Sequence, residues 1–312
     1  LKRFFLKLSL FVFPLALLIL ALEMNDGLLP VANSSVARVK VAASTNALDY
    51  LFVGPSYFYN GIYTPAFDSV FKATFVLGVA TAGPYFYEVV LDDYLACCKE
   101  KPKIIVLNLN PGSCSEIFDN WQLYPIHRYL NNPLSNEFVA YKYSDFGVYT
   151  SLLRKSIEKA GKSMFHNKYQ LQVDFENAKE DAILYKGFLS SSEIVNDSII
   201  SAESHSYQKF KMAEFSAVKA NYFIELVKKY KKKNTEVKVL ETPTFKLDDY
   251  LSENYKRQYS LFKKRMIESG IDFIPAPDDM NDYTYFSSVD HMNISGAKYY
   301  TNYLLTQLGP VN

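Results

Sequence analysis

The sequence predicts a three-layer α/β/α domain on a mostly parallel sheet. Short apolar segments rich in β-branched residues recur along the chain, each is closed by a turn signal, and helical stretches lie between them. The segments read as unbroken apolar runs, as strands buried on both faces do. Ligands on such sheets sit beyond the carboxyl ends of the strands, so the residues just after each strand are the first candidates for chemistry.

In chain order, Lys2, Arg3 and Lys7 stand before an apolar run over 8–22, and Glu23 and Asp26 follow it. Counted from Phe4, the run approaches the roughly 20 residues that cross a bilayer, with Lys7 able to reach toward the headgroups. Basic residues before the run and acidic ones after it predict a cytoplasmic N-terminus and an extracytoplasmic (periplasmic-side) domain, a single-pass topology. No small-x-small site closely follows Leu22, so residues 1–23 read as an uncleaved transmembrane anchor rather than a signal peptide. Residues 24–46, with Asn33-Ser34-Ser35 and no sustained period, read as a linker, and 47–312 as the domain.

Within the domain, 51–53 is a strand ending at Gly54, 73–79 a second, and 86–95 a helix. The third strand, 104–107, is entered through Pro102 and left through Pro111-Gly112. A helix over 219–232 puts Phe223, Leu226, Val227 and Tyr230 on one face and ends in lysines. Strand 237–240 stops before Pro243, the helix over 255–269 is ended by Gly270, and the last strand, 271–274, is stopped by Pro275 and Pro277. A terminal helix begins near Asn293, with Ala297, Tyr300, Leu304 and Leu308 on one stripe. Between about 113 and 215 the rhythm breaks. This polar stretch carries Trp121, His127 and His166 and reads as an insertion or cap over the sheet edge.

A length of 312 residues allows one large domain with a substantial core. The formal charge of +1 argues against a nucleic-acid partner, which normally meets a basic excess. The 25 Tyr and 23 Phe read as core filling. Cys97, Cys98 and Cys114 give an odd count with two neighbours adjacent, hence no disulfide framework. There is no CxxC and no His/Cys cluster with zinc spacing, so neither a metal nor a cofactor is expected. Cys97 and Cys98 fall in a helical stretch, 92–99, as small buried apolar residues.

Gly54-Pro55-Ser56 directly follows the first strand, where a serine hydroxyl projects into the crevice and the segment 57–62 begins a helix or turn whose N–H groups can support an oxyanion. A serine hydroxyl is too weak an acid to attack unaided and needs a base. His291, in the loop after the last strand and just before the terminal helix, is placed to supply one. Asn110 closes the third strand and offers an amide donor, and the segment 77–83, with Gly78, Thr81 and Gly83, closes the second.

These four marks resemble the blocks of the SGNH (GDSL-like) hydrolase superfamily, whose flavodoxin-like sheet matches the predicted class. LFVGPSYFYNGI resembles the nucleophile block, FVLGVATAGP the second, VLNLNPGS the third and DHMNISGAKYYTNYL the histidine block. The resemblance covers roughly the first and last thirds of the exported part. It is strongest to the membrane-anchored branch that includes the D-alanine transfer protein of lipoteichoic acid synthesis and the alginate O-acetylation proteins. It implies Ser56 as nucleophile, His291 as base, and Asn110 with a backbone N–H of Gly83 or Thr81 as the oxyanion hole. The superfamily usually has an aspartate three residues before the histidine, where this chain has Ser288, and Asp290 is adjacent to the base. Asp290 could serve through a local turn, Asp279 or Asp282 could reach in, or the pair could work as a dyad.

The function these readings predict is an extracytoplasmic serine acyl-ester enzyme, an O-acyltransferase or esterase, moving an acetyl-like group to or from a cell-envelope polysaccharide. The implied partners are the membrane, a membrane-bound acyl-exporting protein and a glycan substrate. The alternative is a non-catalytic binding or scaffold protein of the same fold in polysaccharide assembly. A metal-dependent phosphoester hydrolase using Asp278, Asp279, Asp282 and Asp290 is a third class, but these acids read as a solvated loop.

Overall fold

Five short strands pair, all in parallel, in the order β2-β1-β3-β4-β5. They are β1 (Tyr50–Gly54), β2 (Thr74–Gly78), β3 (Ile104–Leu109), β4 (Glu236–Glu241) and β5 (Asp272–Ile274). The computed structural model describes residues 13–14, 34–45, 47–71, 73–78, 83–115, 180, 183–208, 213–233 and 235–308. β1, β2 and β3 are buried at every position, which accounts for their continuous apolar sequence. The order is that of a flavodoxin-type doubly wound sheet, and its direction of winding reverses between β1 and β3. Register brings Gly54 level with Gly78 and Val53 level with Leu107, so β1, β2 and β3 open on one rim.

Alternate residues of each strand feed two cores, one on each face of the sheet. On one face Leu51, Val53, Ile105 and Leu107 meet helices α1 (Ser34–Ser44), α4 (Pro84–Cys97), α6 (Ala217–Lys231) and α7 (Glu253–Glu268). On the other, Tyr50, Phe52, Ile104 and Val106 meet α2 (Ser56–Gly61), α3 (Thr64–Asp68) and α8 (Ile294–Leu308). A further helix, α5 (Asp197–Gln208), lies beyond the second core, to which Ile199 and Ile200 attach. The stripe expected on α8, Ala297, Tyr300, Leu304 and Leu308, is buried. Gly270 ends α7 in the left-handed region, at φ 72°, where it costs no Cβ clash.

Several expectations change. Residues 34–44, read as linker, form α1, which buries Val39, Ala42 and Ala43 and sends Arg38 Nη1 to the Gly78 carbonyl at 2.8 Å. Cys97 is exposed rather than buried, because α4 ends there; Cys98 is half-buried and Cys114 fully so. Of the expected insertion, 116–179, with Trp121, His127 and His166, lies outside the described residues. Of its described part, the stretch around Lys186 lies at the outer edge of β2, where Val76 N–H donates to the Lys186 carbonyl at 2.9 Å, while Ser191 and Val195 join the loop before α8. Among the described residues no helix is long and apolar enough to cross a membrane. The expected anchor, 1–23, lies outside them except for Phe13 and Pro14.

Candidate active site

The crevice beside β1 begins with Gly54. A Cβ at that position would lie 2.5 Å from the Asn108 Cβ on β3, so only glycine admits this approach of the two strand ends. Pro55, extended at φ −78° and ψ −165°, cannot continue the ladder and acts as N-cap of α2. Ser56 is therefore the first residue of that helix, with its hydroxyl at the rim.

His291 comes to the same place from the far end of the chain. Its Nε2 lies 2.7 Å from Ser56 Oγ. Its Nδ1 lies 2.5 Å from Asp290 Oδ1, the carboxylate being almost buried and the imidazole 27% exposed. Nδ1–H therefore faces a carboxylate and Nε2 is left to accept a proton from the serine. Burial pulls the imidazole's pKa down, but the charge and hydrogen bond of Asp290, with a contribution from Glu203, outweigh it and hold it above the ordinary 6.5. Glu203, on α5, accepts from the Val289 N–H at 3.3 Å, and burial raises its own carboxyl.

Neighbouring side chains on an extended chain point to opposite sides, so an adjacent Asp–His pair needs a bend. Ser288 makes it. Its Oγ accepts from the backbone N–H of His291 at 3.0 Å and of Asp290 at 3.3 Å, while donating to Asp290 Oδ1 at 2.8 Å. The hydroxyl also lies 3.1 Å from His291 Nδ1. Of the alternatives for a carboxylate at the histidine, the structure has the local turn. Asp282 instead caps a short 3₁₀ turn through Thr284 N–H at 2.9 Å, and Asp279 accepts from the Tyr299 hydroxyl; both are exposed.

Asn110, just past β3, is buried. Its Nδ2 donates to Asn108 Oδ1 at 3.0 Å, Asn108 Nδ2 donates to Thr242 Oγ1 at 2.7 Å, and the Asn110 backbone N–H donates to Ser113 Oγ at 3.1 Å. The chain of amides fixes Asn110 beside the switch point, and its side-chain nitrogen carries a second hydrogen. Gly83 follows β2 as the N-cap of α4, its carbonyl accepting from Phe86 and Tyr87. Thr81 lies outside the described residues.

Two tyrosines, absent from the sequence reading, flank the serine. Tyr57 stacks on His291, with ring centroids 5.3 Å apart and planes 14° apart, and its hydroxyl donates to Asp290 Oδ2 at 3.1 Å. Tyr59 lies on the Ser56 face of α2, against Gly78 and under the Arg38 guanidinium at 4.6 Å. Burial raises its hydroxyl's pKa, partly offset by Arg38 and by a hydrogen bond with Ser56. The only signal in the sequence was their spacing from the serine, which is common in a chain with 25 tyrosines.

A hydroxyl, an imidazole and a carboxylate in line can move a proton from the hydroxyl to the ring while the carboxylate stabilises the cation. No family model and no curated protein matches the chain. Among solved structures, a Streptococcus pneumonia protein provisionally named a platelet activating factor is similar over 93% of this chain and 99% of its own. Its sequence identity is 12% and its TM-score 0.42, too distant for any argument.

Proposed function

We propose that this chain is an extracytoplasmic serine acyl-ester enzyme of SGNH type, transferring an acetyl-like group to or from a cell-envelope polysaccharide. The observation that carries the chemistry is the 2.7 Å contact between Ser56 Oγ and His291 Nε2, with Asp290 behind the ring. Ser56 Oγ attacks the carbonyl carbon of an acyl donor as its proton passes to Nε2, and Asn110 with a backbone N–H from the β2–α4 segment receives the oxyanion. The bond from the acyl carbon to the donor oxygen breaks, and the departing oxygen takes the proton from His291. A sugar hydroxyl or water then attacks the acyl-serine, gives its proton to Nε2, and Ser56 leaves reprotonated.

The choice of a polysaccharide rests on the resemblance and on the apolar run at 8–22, read as an anchor. Tethering at the outer membrane face would raise the effective concentration of an acyl-exporting partner and a nascent glycan without any new contact. The test is labelling of the purified protein with a serine-reactive fluorophosphonate, wild type against Ser56→Ala. Labelling that disappears with Ser56 supports the enzyme. Labelling that persists in the variant refutes the nucleophile, and silence in both favours the scaffold.

A further inference from the structure

Tyr57 is the residue after the proposed nucleophile, yet its ring and its hydroxyl both engage the acid–base pair. Its ring covers His291 in a nearly parallel stack, and its hydroxyl donates to the Asp290 oxygen that faces away from the imidazole. The other oxygen, Oδ1, meets His291 Nδ1 and the Ser288 hydroxyl. Asp290 is thus gripped at both oxygens, by the turn that carries it and by the helix that carries Ser56. The grip matters because Asp290 adjoins its histidine in sequence. A carboxylate so placed has rotamers that swing it off the ring, and the Ser288 turn constrains the backbone but only one side of the carboxylate.

We infer that Tyr57 is a positioning residue: by stacking on His291 and hydrogen-bonding Asp290, it locks the adjacent acid–base pair onto Ser56. The catalytic consequence rests on the acyl-enzyme reading above, whereas the clamp itself is a statement about geometry. Because the ring sits one residue from Ser56, any shift of α2 relative to the histidine loop is resisted at the reacting atoms. The residue acts through Asp290 and His291, not on substrate.

Tyr57→Phe keeps the stacked ring and removes the hydroxyl. The fluorophosphonate labelling rate, and kcat on a simple ester such as p-nitrophenyl acetate, should fall about tenfold with KM unchanged, the loss expected for one hydrogen bond to a charged group. In ¹⁵N-edited spectra the His291 titration should move to lower pH, because a carboxylate that swings away no longer holds the imidazolium. A hydroxyl that merely drained charge from Asp290 would give the opposite, a move to higher pH on its removal. In an Asp290→Asn background, Tyr57→Phe should cost nothing further. An unmoved or raised titration, or an equal loss in the Asp290→Asn background, overturns the inference. Should wild type not label at all, the acyl chemistry fails, and the direction of the histidine titration alone decides the clamp.

Discussion

Asp290→Asn removes one charge while nearly preserving shape, at a place where three groups converge. Oδ1 faces His291 Nδ1 at 2.5 Å and the Ser288 hydroxyl at 2.8 Å, and Oδ2 accepts from Tyr57 at 3.1 Å. A carboxamide has one acceptor oxygen, so at least one of these partners meets an N–H instead. A hydrogen bond to a charged group contributes about 1.5–3 kcal/mol, and 1.36 kcal/mol is a factor of ten in rate, so the plateau rate should fall by roughly ten- to a hundredfold. The pH dependence gives a second, independent reading. The base must be neutral to take the serine proton, so wild-type activity rises with pH through a His291 pKa that stands above 6.5. Without the carboxylate, burial dominates and the pKa falls, so the acid limb should move to lower pH even as the plateau drops. The assay is labelling rate between about pH 5 and 9, bracketing the ordinary histidine range. A limb that stays in place, or moves upward, would refute the assignment of Asp290 as the imidazole's partner.

The same pair sets a stability window. The folded His291 pKa is above the unfolded 6.5, so its stabilisation is complete below 6.5 and disappears as pH rises through the folded value. The difference in melting temperature between wild type and Asp290→Asn should therefore narrow across that interval, as scanning calorimetry would record; a constant difference would contradict it. Gly54→Ala forces a methyl to 2.5 Å from the Asn108 Cβ, an overpacking of about 1–3 kcal/mol, and should lower the melting temperature and the labelling rate together. Asn108→Ala strips Asn110 and Thr242 of their partner at a fully buried position, costing about 1–3 kcal/mol for each group left unpaired. Its labelling should slow beyond what lost stability explains, measured well below the melting temperature.

The sheet was legible because its central strands are unmixed. Leu51-Phe52-Val53 and Ile104-Ile105-Val106-Leu107 have no polar residue to confuse the period, and Gly270 closes α7 in the conformation its chemistry favours. α1 was not legible. Its core contacts are made by Val39, Val41, Ala42 and Ala43, small residues that leave a faint stripe, and Arg38 is a charged residue that the fold buries against a carbonyl. Ser56, Asn110 and His291 stood out because each follows a strand. The groups around them did not, because their positions follow from tertiary geometry. Ser288 matters through a turn only two residues wide, and Tyr57 through a ring that stacks on a residue 234 positions away.

Strand order explains why the histidine loop is built as it is. β5 stands three places from β1, so at about 4.8 Å per strand the chain must cross roughly 14 Å of sheet before His291 can meet Ser56. The loop over 275–293 is pinned along that route. The Val289 carbonyl accepts from Phe245 and Lys246, which follow β4, and Phe286 pairs with Met292 to fold the tip back. Asn293 ties the end down, its Oδ1 accepting from Ser295 and Gly296 at the start of α8 and its Nδ2 donating to the carbonyls of Thr284 and Phe286. These ties hold the loop to its own side of the sheet, and the tip bearing Asp290 and His291 must still be set against α2. Contacts from the β1 side are what complete its registry, and Tyr57 provides two of them within one residue of Ser56.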